Sequence, residues 1–155
     1  MAEVAPTVLI VEARYYDDIT DELVRGVVAA LEQRGVAYDR VTVPGALEIP
    51  IALSLAAHAG HFDGGGRYEG CIALGCVIRG ETAHYDIVAQ ESAHALMRLA
   101  TEYSVPTGNG ILTVDDRDQA WARASVDGKN KGGDAASACL ALMNLRAHFA
   151  QTGSA

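Results

Sequence analysis

The sequence predicts a three-layer α/β/α sandwich built around a four-stranded parallel sheet. Three observations carry that expectation. Short apolar, β-rich runs alternate with segments of helical period along the whole chain. The runs are nearly continuous in hydrophobicity, as strands covered on both faces require. The length, 155 residues with half of them hydrophobic, suits one globular domain with one core, so residues 1–155 are expected to form a single domain.

Each element has its own signal. The run "TVLIVEA" (7–13) suits a buried strand. Thr20 then reads as an N-cap with Asp21 and Glu22 in the first turn, and Val24, Val27, Val28 and Leu31 recur at helical spacing until Gly35 stops the helix. "VAYDRVTVPG" is the second strand, closed by Pro44-Gly45. A second helix runs from Leu47 to about Ala59, with Pro50 tolerated in its first turn. "HFDGGGRYEG" reads as a loop whose glycine run offers no packing face. "CIALGCVI" is the third strand, and Tyr85, Val88, Ser92, Leu96, Leu99 and Tyr103 mark one face of a third helix that ends before Pro106. "NGILTV" is a fourth strand. A short helix around "DRDQAWAR" and a last helix from Lys131 to about Phe149 complete the chain.

Composition excludes several classes of partner. The net charge of −8 and the lack of clustered Lys/Arg argue against a nucleic-acid or anionic-membrane surface, which leaves small soluble partners. The N-terminus has no basic region ahead of its apolar run, and nowhere do about 18 apolar residues follow one another. The chain is therefore read as cytoplasmic. Cys71, Cys76 and Cys139, odd in number and set in apolar runs, are expected to be buried free thiols. His58, His61 and Asp63 are read as confined to a flexible loop, and no close Cys/His set occurs elsewhere, so no metal site is expected.

In such a fold, ligands bind beyond the carboxyl ends of the strands. The four segments that leave strands are "EARYYDDIT", "VPGALEIP", "RGETAHYD" and "VDDRDQAWAR". The third is the most telling. Gly75 and Gly80 stand at the spacing of a nucleotide phosphate loop and Thr82 takes its hydroxyl position, but Glu81 replaces the lysine. Backbone N–H groups of Gly80, Glu81 and Thr82 at a helix N-terminus would still suit a small phosphate ester. A plain turn with a threonine cap fits the same residues. His84 follows in the first helical turn; it is either an ordinary surface histidine or a group that moves protons near neutral pH.

Taken together and in order, "VPGALEIP", "GCVIRGETAHYD", "VPTGNGILTV" and "NKGGDAA" resemble the lumazine synthase family, which catalyses the penultimate step of riboflavin biosynthesis. The resemblance runs from about Val8 to Phe149. It implies a flavodoxin-like sheet and a condensation of 5-amino-6-ribitylaminouracil with 3,4-dihydroxy-2-butanone 4-phosphate. No cofactor or metal is used in the reaction so implied. The site residues also come from the resemblance. His84 matches the proton-transfer histidine, and Gly80, Glu81 and Thr82 match the phosphate-contacting turn. Arg123, eight residues before Lys131, matches the arginine that grips the phosphate, with Lys131 in support. Tyr15 takes the place of the ring stacked on the pyrimidine. Ala46, Leu47 and Glu48 match the segment that holds the pyrimidine and ribityl chain, with the strand-end residues Cys76, Val77 and Ile78 beside it.

Three positions depart from the family pattern. Tyr16 replaces a small polar residue, Leu47 a common phenylalanine, and Asn109 an apolar residue. Asn109 is read as a partner for the uracil or product ring edge, with turn capping as the alternative. The resemblance further implies homopentamers or larger assemblies of pentamers, with the segment around "GNGILT" and Arg123 reaching a neighbour's site. Two other classes compete. A flavodoxin-like electron carrier would need a glycine-containing loop after the first strand, which "EARYYDDIT" lacks. A non-catalytic paralogue that binds lumazine or flavin, or only forms a shell, is the other.

Overall fold

A computed structural model describes residues 4–153. Four strands, β1 (Thr7–Ala13), β2 (Ala37–Val43), β3 (Gly70–Ile78) and β4 (Thr107–Val114), form one parallel sheet in the order β2-β1-β3-β4. The helices are α1 (Asp17–Gln33), α2 (Glu48–His58), α3 (His84–Glu102), α4 (Arg117–Ala124) and α5 (Lys131–Thr152). The sheet separates two apolar layers. Val8, Ile10, Ile72, Leu74 and Leu112 pack under α1, α4 and α5, while Leu9, Val11, Cys71 and Ala73 pack under α2 and α3. The expected three-layer sandwich is the fold observed.

Strand position explains the residue patterns. β3 is central, and its residues from Gly70 to Val77 are buried, which is why its sequence reads as an unbroken apolar run. β4 is an edge strand. Gly108, Gly110, Leu112 and Val114 are buried, whereas Asn109 and Thr113, on the other face, are exposed. The Asn109 side chain accepts the Ile111 N–H at 2.9 Å, one backbone group of this open edge.

Glycine allows two close approaches to α5. A Cβ at Gly108 would overlap the Ala135 carbonyl, and one at Gly132 would overlap the Leu23 carbonyl of α1. The "NKGG" segment thus seats α5 on α1. Asn130 supports the seat as the N-cap of α5, in a left-handed conformation that asparagine tolerates, and accepts from Gly133 N.

Several sequence expectations need correction. Thr20 is not the N-cap of α1; Tyr16 holds that place, and Asp17 and Asp18 supply the first-turn charge. Thr20 is fully buried and its hydroxyl donates to Ala13 O at 2.7 Å, fastening the helix to the end of β1. A hydroxyl near a helix start satisfies either role, and only the position of the strand decides between them. β4 begins two residues before Asn109, and α5 runs three residues past Phe149. The glycine-rich loop does pack: Phe62 is buried, Tyr68 rests on the same cluster, and Tyr68 OH donates to Asp39 at 2.8 Å. His58 belongs to α2 and hydrogen-bonds Tyr103 OH at 2.8 Å.

Candidate active site

The chain leaves β1 toward β2 on one side and leaves β3 toward β4 on the other, so the sheet's topological switch lies between β1 and β3. Such a switch opens a crevice at the strands' carboxyl ends. A cavity of about 400 Å³ is found there. Tyr15 and Tyr16 come to it from the β1–α1 turn, and Ala46, Leu47 and Glu48 from the β2–α2 turn. Cys76, Val77 and Ile78 are the end of β3, while Gly80, Thr82 and His84 come from the β3–α3 turn. Pro44, Gly45, Tyr85 and Val88 complete its lining. Tyr85 and Val88 read in sequence only as a helix face, and helical period alone does not separate a core stripe from a cavity wall.

The β3–α3 turn is short of acceptors. Arg79 N–H still bonds Val114 O, and His84 N–H donates to Thr82 Oγ1 at 3.3 Å, but the N–H groups of Gly80, Glu81 and Thr82 bond no other described residue. They sit where α3 begins, at the positive end of its dipole. A Cβ at Gly80 would meet nothing within 4 Å, so the space beside the turn is open. Glu81 is exposed and does not line the cavity. Arg79, which carried no sequence signal, covers the Tyr85 ring at 4.3 Å and donates from Nε to Asp115 at 3.0 Å, with Asp86 3.6 Å away. It joins the ends of β3 and β4 to the first turn of α3.

Across the cavity, the Tyr15 side chain is an open platform. It is 74% exposed, and its ring meets Tyr16 edge-on at 4.9 Å. Glu48 is half-buried and makes no side-chain hydrogen bond or ion pair with the described residues, so its carboxylate is free to accept from a hydroxylated ligand. The Cys76 thiol is pushed up to about 11 by burial, so it stays protonated near neutral pH and is no thiolate nucleophile. On the rim, Arg117 pairs with Asp18; their hydrogen bond holds that carboxyl below its usual range and ties α4 to α1.

Besides Glu81, three expected site residues lie apart from this cavity. Asn109, Arg123 and Lys131 line a second one, of about 420 Å³, together with Ile111, Thr113 and Asp134. These two cavities share no lining residue, but another of about 390 Å³ meets the first at Tyr85 and the second at Asn109, Ile111 and Thr113. Arg123 donates from Nη1 to Gln119 O at 3.1 Å and has no carboxylate partner among the described residues, whereas Lys131 pairs with Asp134 at 3.3 Å. No group of three or more His, Cys, Asp or Glu side chains suited to a metal occurs among the described residues. No helix among them is long and apolar enough to cross a membrane.

Known proteins with similar sequences fall in one family. The family profile described as 6,7-dimethyl-8-ribityllumazine synthase matches residues 5–147. A protein of that name from Agrobacterium fabrum is 55% identical over 141 residues, covering 91% of this chain and 95% of its own. One from Methylorubrum populi is 58% identical over 139 residues, covering 90% of this chain and 82% of its own. The Rhizobium meliloti protein named 6,7-dimethyl-8-ribityllumazine synthase 1 is 54% identical over 147 residues, or 94% of this chain and 95% of its own.

Proposed function

The chain belongs to the 6,7-dimethyl-8-ribityllumazine synthase family, and we propose that it performs that family's reaction at the cavity between β1 and β3. It is a transferase of riboflavin biosynthesis that condenses 5-amino-6-ribitylaminouracil with 3,4-dihydroxy-2-butanone 4-phosphate. The single observation that carries the assignment of the site is that one cavity holds an exposed aromatic ring, a carboxylate and a turn of N–H groups that are both without partners among the described residues, and a histidine that follows the turn.

Each part has a task in the reaction. The pyrimidine stacks on Tyr15, over Val77 and Ile78, and Glu48 accepts from ribityl hydroxyls. Ala46, Leu47 and Cys76 shape the pocket around the ring. The phosphate rests on the N–H groups of Gly80, Glu81 and Thr82, where the start of α3 favours negative charge. With both substrates held in this way, the ketone carbon of the four-carbon unit meets the pyrimidine 5-amino group. The amine attacks that carbon and water leaves to give an imine; phosphate is then eliminated, and the ribitylamino nitrogen closes the ring as a second water departs. His84 moves protons in these steps, taking one from carbon as phosphate leaves and returning one to a departing oxygen.

The second cavity belongs to the same site through a neighbouring subunit. Arg123, supported by Lys131, reaches the phosphate of the adjacent protomer, and Asn109 meets the edge of the uracil or product ring. Two features favour self-association. One face of β4 carries exposed Asn109 and Thr113, and Ile87 and Met97 of α3 are exposed apolar side chains. We read the assembly as a homopentamer or a larger assembly of pentamers, working in the cytoplasm as a single catalytic domain without a cofactor. The test is direct: the purified protein and both substrates should yield a fluorescent lumazine and equimolar phosphate. Failure of an intact, correctly assembled protein to form either product would overturn the reading.

A further inference from the structure

We propose that Arg14 is a positioning residue for the pyrimidine, clamping the β1–α1 turn so that the Tyr15 ring is held ready at the cavity. The inference rests on the reading of Tyr15 as the stacking ring. Arg14 lies between the last residue of β1 and Tyr15, and its guanidinium bonds three carboxylates. Nη1 donates to Glu12 at 3.0 Å, Nε to Asp17 at 2.8 Å and Nη2 to Asp21 at 2.6 Å. One of these acceptors is on the strand and two are on the helix. The planar fork of arginine makes this bridge possible; a lysine carries no such fork.

The buried partner does not explain why Arg14 is there. Glu12 is 1% exposed, but Arg40 already donates to both of its oxygens, from Nε at 2.8 Å and from Nη2 at 2.9 Å. Glu12 would therefore remain paired without Arg14. Beside the Thr20 hydroxyl, which holds α1 to Ala13 O, Arg14 adds a link between side chains of the strand and of the first turns of α1, across the residues that carry the ring. Thr20 and Val43 hold only the backbone of Ala13 and Arg14. Arg117 ties Asp18 to α4 and not to the strand.

Tyr15 depends on such a link. Its side chain has no hydrogen bond to a described residue, and its one aromatic neighbour, Tyr16, sits on the same turn. The ring's position is thus set by the backbone of the turn rather than by packing of its own. A platform that moves before the ligand binds must be ordered on binding, which weakens affinity. Asp17 and Asp21 are largely exposed, so the clamp contributes little to global stability. Its effect should appear in binding.

The test is a double-mutant cycle read by steady-state kinetics of lumazine formation. Arg14→Gln should raise KM for the pyrimidine about threefold to tenfold, the size of an aromatic contact, and change KM for the butanone phosphate far less. Arg14→Lys should fall between the two. In a Tyr15→Ala background the Arg14→Gln change should add nothing, because the ring it positions is gone. An equal rise in both KM values, or a full additional effect without Tyr15, would show a general structural role and overturn the proposal. If Tyr15→Ala raises the pyrimidine KM but Arg14→Gln does not, the clamp alone fails. If Tyr15→Ala has no effect, the stacking reading fails and the clamp with it. Should Arg14→Gln not fold, Asp21→Asn removes one arm and must show the same pattern at smaller size; no effect there also refutes the clamp.

Discussion

Mixed oligomers of two inactive variants test whether the two cavities form one site. His84 and Arg123 line separate cavities within a subunit, and among the described residues the Arg123 guanidinium has a single backbone partner, so its charge is available to a neighbour. His84→Ala removes a proton-transfer group and should lower turnover by about 10²-fold. Arg123→Ala removes a hydrogen bond to a charged group, about 1.5–3 kcal/mol, which is roughly 10- to 150-fold in affinity for the phosphate substrate. Near the wild-type KM the His84→Ala homo-oligomer should therefore keep about 1% of wild-type activity and the Arg123→Ala homo-oligomer about 1–20%. When the variants are unfolded, mixed in equal amounts and reassembled, a shared site takes His84 from one protomer and Arg123 from the next. Each of those choices is native half of the time, so about one quarter of the sites are intact and activity should recover to roughly one quarter of wild type. The assay is lumazine formation at substrate concentrations near the wild-type KM, with native mass spectrometry to confirm mixing. If mixed oligomers form and activity stays at the parental level, both residues act within one subunit and the shared-site assignment is wrong.

The other predictions follow from single features. Gly108→Ala forces a methyl group into the Ala135 carbonyl of α5; overpacking against backbone should cost about 3 kcal/mol and lower Tm by roughly 6–12 °C. A melting curve within about 2 °C of the wild type would show that α5 can shift away from β4 at little cost. The buried thiols should make the protein sensitive to alkali. Burial pushes Cys76 up to about 11 and Cys139 to about 12, against roughly 8.5 for an unfolded thiol. Their contribution is complete below the unfolded value and is lost as pH rises through the folded ones, with a slope of about 1.4 kcal/mol per pH unit for each thiol. Urea titrations should show stability falling above pH 8.5 or so, and less steeply in Cys76→Ala; identical slopes would remove Cys76 from that account. Turnover should survive exhaustive chelation, and activity lost and then restored by one particular divalent ion would contradict the site described above.

The sequence by itself determined the elements and the loops that carry the chemistry. β1 and β3 were legible because strands buried on both faces need continuous apolar runs, and that requirement is written in adjacent residues. The helices were legible through the spacing of apolar residues such as Val24, Val27 and Leu31. The turn from Gly80 to His84 announced itself through glycine, threonine and histidine in a fixed local order. Tertiary structure decided everything that depends on which elements become neighbours. Thr20 could cap its own helix or fasten it to a strand, and the place of Ala13 settled the matter. No sequence pattern marks Arg14 or Arg40, yet both converge on Glu12, which stands 28 residues before Arg40 in a strand that reads as apolar. Arg123 follows the fourth strand just as His84 follows the third, but the two line different cavities of the subunit. The physical reason is range: helical and strand periods are set by residues within a few positions of one another, whereas ion pairs, cavity walls and helix seats depend on the strand order β2-β1-β3-β4, which no local pattern encodes.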